Sequence, residues 1–157
     1  MSEVEAPKVR SQPSCQQSYI RFMNCTEREV DIVWLNYEGV SVHYKTLSSQ
    51  HWVDVNTFVG HPWIFRDTNT GDKLVVQLKE VYEPVAHCYQ RDGTSRRVVN
   101  IVIPVYNLKE CCLQKLRAII PCNQIDDLEL PKSLIGELKK YFHKSSYLGK
   151  PVSVSKS

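Results

Sequence analysis

A mainly β fold with a small α appendage is what three observations predict: a seven-stranded antiparallel β-sandwich, then a short helical domain. Short apolar-alternating runs separated by turn signals fill the first two thirds of the chain. Periodicity then switches abruptly from two to about 3.6 at "NLKECCLQKLRAII", residues 107–120. Finally, the apolar and charged contents, 42% and 24%, are those of a globular chain.

The strands follow in order. "SYIRFMN" (18–24) alternates, with Tyr19 to one side and Ile20 and Phe22 to the other. "EVDIVWLNY" (29–37) is β-branched and aromatic, and "EG" at 38–39 closes a hairpin into "VSVHYKTL" (40–47). "HWVDVNTF" (51–58) sets Trp52, Asp54 and Asn56 against Val53, Val55 and Thr57. "HPWIFRD" (61–67) leads through the "TNTGD" turn to "KLVVQLKE" (73–80), with Pro62 favouring an irregular start because it cannot donate to a ladder. After a hydrophilic loop, "RVVNIVIPV" (97–105) is the seventh strand, consistent with two packed antiparallel sheets.

Two helical patterns close the chain. Asn107 suits an N-cap, Glu110 completes a box-like pattern, and Pro121 stops the first helix. "LELPKSLIGELKKYFHK" (128–144) carries the second, with Pro131 in its first turn and Leu134 and Leu138 along one side. About thirty helical residues are too few for an independent core. Their apolar faces must pack on the sandwich, on each other or on another protein. The expected layout is a flexible N-terminus (1–17), a β-sandwich (18–106), a helical domain (107–145) and a flexible tail (146–157).

Composition narrows the chemistry. Twenty basic against 17 acidic residues leave a charge of only +3, which gives no argument for nucleic acid. No apolar run reaches membrane-spanning length, and the first residues lack the apolar core of a secretory signal. Cys15, Cys25, Cys88, Cys111, Cys112 and Cys122 form no C-x-x-C pair and read as reduced thiols. His43, His51 and His61 lack a convergent ligand set, so neither a metal nor another cofactor is expected. No nucleophile–base pairing is readable either, which favours a binding protein over an enzyme.

Leu108, Cys112 and Leu116 recur at i, i+4 and i+8. Such a stripe suits either the protein's own sheet or a groove on a partner, where leucine anchors and cysteine allows close approach. The spacing resembles the BC box of cullin-RING substrate receptors. Downstream, Leu130, Pro131, Leu134 and Leu138 resemble the cullin-2 box, in the order and separation of that family.

The stretches "VWLNYEG" (33–39), "YKTL" (44–47), "GHPWIFRD" (60–67) and "IPVYNLKECCLQ" (103–114) resemble the von Hippel–Lindau family over roughly residues 18–145. The resemblance implies a non-catalytic substrate receptor of an elongin–cullin-2 ubiquitin ligase, acting in the cytoplasm and nucleus. Its implied partners are elongin C and elongin B, cullin-2 with its RING subunit, and the prolyl-hydroxylated α subunit of hypoxia-inducible factor. It places a hydroxyproline pocket on Trp34, Tyr44, Thr57, His61 and Trp63, with Asn56 and Phe58 beside it along the substrate backbone. Three aromatic walls suit a pyrrolidine ring. His61 and Thr57 would bond the 4-hydroxyl, and the Tyr44 hydroxyl the adjacent carbonyl. Thr57, Asn56 and Phe58 stand where vertebrate members carry serine, histidine and tyrosine, so an adaptor reading a different, non-hydroxylated ligand is the alternative. Trp34 and Trp63 would also suit an ordinary sandwich core.

Overall fold

A computed structural model describes residues 7–87 and 95–143, and eight strands and two α-helices lie among these described residues. The strands are β1 (Gln17–Asn24), β2 (Val30–Leu35), β3 (Ser41–Leu47), β4 (Trp52–Phe58), β5 (Trp63–Asp67), β6 (Lys73–Leu74), β7 (Val81–Tyr82) and β8 (Arg97–Ile101). One sheet has the order β4-β1-β8; the other runs β3-β2-β5-β6, with β7 also pairing β5. Ile20 and Phe22 of β1, Val55 of β4, and Val99 and Ile101 of β8 meet Ile32, Trp63, Phe65 and Leu74 in one core between the sheets. The alternation in β1 holds: Ile20 and Phe22 are buried, and Phe22 packs edge-on against Phe65 and Tyr82.

Three expectations about the strands need correction. β8 pairs β1 in parallel, so the sandwich is not wholly antiparallel. The run 73–80 is not one strand: β6 ends at Leu74, and Val76 and Lys79 close a tight turn through Gln77 and Leu78. Both turn residues have positive φ, 51° and 65°, the geometry a two-residue hairpin loop requires. The last strand ends at Ile101 rather than 105, leaving an extended linker into the first helix. β5 begins at Trp63, directly after Pro62, whose carbonyl accepts from Leu35 N at 3.0 Å.

The N-terminal segment is also more structured than expected. Residues 1–6 of the supposed flexible stretch lie outside the description, but residues 7–16 form a strap across the end of the sandwich. Ser11 N donates to the Asn36 carbonyl at 3.0 Å and Gln12 N to the Gly60 carbonyl at 2.9 Å. Val9 packs on Val33, Leu35 and Ile64, on the opposite face of the second sheet from the main core. Gly39 and Gly60 make this approach possible. Both have positive φ (73° and 81°), and a Cβ on Gly39 would come within 2.6 Å of the Val9 carbonyl. The expected tail, 146–157, lies outside the described residues.

Helix α1 spans Leu108–Ile119 and α2 spans Lys132–Phe142, with a short 3₁₀ helix at Cys122–Asp127 between them that sequence periodicity did not signal. The expected capping box is present: Asn107 Oδ1 accepts from Glu110 N, and Glu110 Oε2 accepts from Asn107 N. Pro131 stands just before α2 rather than within its first turn. The two helices bury their apolar faces largely on each other, through Leu113, Ile125, Leu138 and Tyr141.

Candidate functional site

A cleft of about 250 Å³ opens between β3 and β4, the end strands of the two sheets. Trp34, Tyr44, Asn56, Thr57, Phe58, His61 and Trp63, all seven residues expected at a substrate site, line it. Alternation along β4 sends Val55 and Thr57 inward, while β2 and β5 hold Trp34 and Trp63 directly opposite each other. Tyr44 arrives by a different route. The β2–β3 register slips between Ile32, opposite Lys45, and Val33, opposite His43, so Tyr44 is the extra residue of a β-bulge. Bulges re-aim side chains at functional sites. Here the Tyr44 ring stands edge-on to Trp63, 5.3 Å away at 87°, and stays 50% exposed.

The polar end of the cleft is buried. Trp63 Nε1 donates to Thr57 Oγ1 at 3.3 Å. His61 follows Gly60, stacks on Trp34 at 5.7 Å and 24°, and is flanked by Phe58 and Tyr37. Its Nε2 meets the Gln12 carbonyl at 3.0 Å and Ser14 Oγ at 3.2 Å. Trp34 Nε1 donates to Ser11 Oγ at 2.8 Å, and that hydroxyl donates to the Leu35 carbonyl. Three apolar or aromatic walls and a buried hydroxyl and imidazole thus surround a space sized for a small ring.

Sequence reasoning missed four lining residues, Ser14, Tyr37, Val42 and Val55. Tyr37 lies within the "VWLNYEG" stretch and could have been found there. Ser14 carries no periodic signal, because it reaches the site through the strap's backbone hydrogen bonds.

On α1, Leu108 and Ile119 are 81% and 63% exposed, Cys112 is exposed, and Leu116 is half-buried against the helical core. Val105 in the linker adds a fully exposed apolar side chain to the same segment. Leu130, just before α2, and Leu134 within it are half-buried, and the N-cap Pro131 is exposed. Leu138 was expected as a partner contact but is 0% exposed in the helices' own core, because its face of α2 turns toward Leu113 and Ile125.

A polar joint links helices and sandwich. Arg117 bonds both carboxylate oxygens of Asp72, at 3.0 and 2.7 Å, and Asp72 is 1% exposed. That hydrogen-bonded pairing raises the Arg117 pKa above its ordinary value. Arg28, in the β1–β2 connection, reaches Asp67 and Asp72 at 3.3 and 3.4 Å. Tyr106 donates to the Lys73 carbonyl at 2.8 Å, and burial pushes its hydroxyl up to about 12. Cys111 lies beside this joint, its thiol 3.8 Å from the Tyr106 carbonyl.

Comparison with known proteins gives a family match over the strap and most of the sandwich. The family described as VHL beta domain matches residues 9–93, from the strap through β7. Protein Vhl of Drosophila melanogaster is 32% identical over 102 residues, covering 60% of this chain and 57% of that protein. The chain therefore spans little more than half the length of that relative.

Proposed function

This chain belongs to the von Hippel–Lindau family, and on that premise we propose that it is a substrate receptor that reads 4-hydroxyproline. Its substrate is the α subunit of hypoxia-inducible factor, and it delivers that substrate to a cullin-2 ubiquitin ligase. The observation that carries this reading is the cleft, where a buried hydroxyl and imidazole close one end of an aromatic enclosure. A proline ring has flat apolar faces that suit Tyr44, Trp34 and Trp63. Its 4-hydroxyl meets Thr57 and His61 at the deep end. Plain proline would cover those two groups without pairing them, a penalty of about 1–3 kcal/mol for each buried polar group left unsatisfied. Nothing is converted in such a site; the output is recruitment.

Recruitment uses the face of α1 that the protein leaves uncovered. Leu108 and Cys112, with Leu116 at its margin, dock elongin C, which brings elongin B. Leu130, Pro131 and Leu134 contribute the cullin-2 contact, with the RING subunit following on the cullin. Leu138 supports that surface from inside. The working compartments are the cytoplasm and nucleus.

The ligase half is tested by co-expression with elongins B and C. Stable co-purification is expected, and a chain that elutes alone would refute it. The substrate half is tested by comparing hydroxyproline and proline peptides; equal affinities would favour the adaptor that reads a non-hydroxylated ligand.

A further inference from the structure

The two polar groups at the deep end of the cleft are not free to choose their hydrogen-bonding sense. His61 Nε2 lies 3.0 Å from the Gln12 carbonyl oxygen, and a carbonyl can only accept. A neutral His61 ring therefore carries its proton on Nε2, which leaves Nδ1 as the acceptor. Ser14 Oγ, at 3.2 Å, shares the same proton, and the Tyr37 hydroxyl 2.8 Å from Ser14 Oγ extends the chain toward the surface. Thr57 Oγ1 accepts from the Trp63 indole, so its own O–H remains to donate.

We propose that residues 11–14 of the strap are positioning residues for this cleft, fixing His61 with its proton on Nε2 so that the deep end offers one acceptor and one donor. Such a pair is satisfied by a group that both donates and accepts, which is a hydroxyl. A carbonyl or carboxylate has no proton for Nδ1. An ammonium has no lone pair for the threonine. The inference rests on the reading of the cleft as the ligand site, and it adds why that site asks for an alcohol.

The strap is held well enough to do this. Ser11 is bonded through its backbone to Asn36 and through its hydroxyl to Leu35 and Trp34. Gln12 N is bonded to the Gly60 carbonyl, which fixes the orientation of the next peptide group. Gly60 lets the strap sit this close: a Cβ there would come 3.0 Å from the Cβ of Gln12. One short segment thus grips Trp34 on one wall of the cleft and His61 at its end.

Ring-nitrogen NMR of the full ¹⁵N-labelled chain tests this directly. A slowly exchanging N–H on His61 Nε2, with a pyridine-type Nδ1, is expected. A proton on Nδ1, or an Nε2–H that exchanges as fast as that of a free imidazole, would overturn the proposal. In a Ser11→Ala/Ser14→Ala variant the N–H should exchange about 10-fold faster. Its preference for a hydroxyproline over a proline peptide should fall by about 5- to 10-fold, the equivalent of one ordinary hydrogen bond. A folded variant that keeps both the slow exchange and the full preference contradicts the strap's role. If the variant fails to fold, the intact chain's spectrum decides alone. A protected Nε2–H in a chain that binds neither peptide supports the strap's hold on His61 and overturns only the hydroxyproline reading.

Discussion

Thr57 does two things with one oxygen: it accepts from the Trp63 indole and faces the cleft. Thr57→Val keeps the shape and removes both roles. The buried indole N–H then has no acceptor, and denaturant unfolding should show a loss of about 1–2 kcal/mol. Peptide titration should show a far larger drop in the preference for hydroxyproline than in affinity for proline. An unchanged preference would mean that the threonine only fills space. Tyr44 makes the complementary point about legibility. Its position in the cleft was expected from resemblance, but the bulge that delivers it was not. A one-residue register slip leaves no mark in an alternating sequence, since either neighbour could have been the extra one.

At the scale of elements, α1 has two faces that are one residue apart. Leu113 turns inward to Leu138 and Ile125, whereas Cys112 and Leu108 point away from the protein. Cys112→Arg should therefore abolish elongin C binding without lowering the melting temperature of the free chain. Cys111→Arg should bind normally, because Cys111 lies off that face and the new cation would share a groove with Asp67. Retained binding in the first variant would mean that the wrong face has been assigned. Leu138→Ala belongs to the inner face, and a cost of about 2–5 kcal/mol in thermal or chemical unfolding is expected from the cavity it leaves. A neutral effect would return Leu138 to the partner surface. The helices were legible because capping and 3.6-residue periodicity are local signals. The parallel β1–β8 pairing was not, since strands far apart in sequence carry no sign of direction. Nor was the division of α2 between core and partner, because an apolar stripe looks the same whatever covers it.

Across the whole molecule, two parts must hold a fixed relation if a peptide bound in the cleft is to be presented by a partner on α1. Arg117, Asp72, Arg28 and Tyr106 make that joint from buried polar groups. Tyr106 supplies a pH signature. Its folded pKa, about 12, lies above the ordinary tyrosine value of about 10. The neutral form is thus favoured in the folded state, and its contribution is complete below about pH 10 and lost as pH rises toward 12. Melts between pH 9 and 12 should show the wild-type chain losing more stability over that range than Tyr106→Phe; parallel curves would remove Tyr106 from the joint. The strap is the other whole-molecule feature, and sequence pattern predicted mobility there. Its order comes from backbone bonds to Asn36 and Gly60 and from the hydroxyls of Ser11 and Ser14, none of which alters hydrophobic periodicity. On the proposed reading, the cleft distinguishes its ligands by a single hydroxyl. The most direct test of that reading is a fluorescence titration of the elongin-bound chain with two peptides from the hypoxia-factor α subunit, identical except for the 4-hydroxyl of one proline. Sites built around a buried hydroxyl partner discriminate by about 10⁴-fold, and a difference of at least about 10²-fold is predicted here. Equal affinity for the two peptides would contradict it.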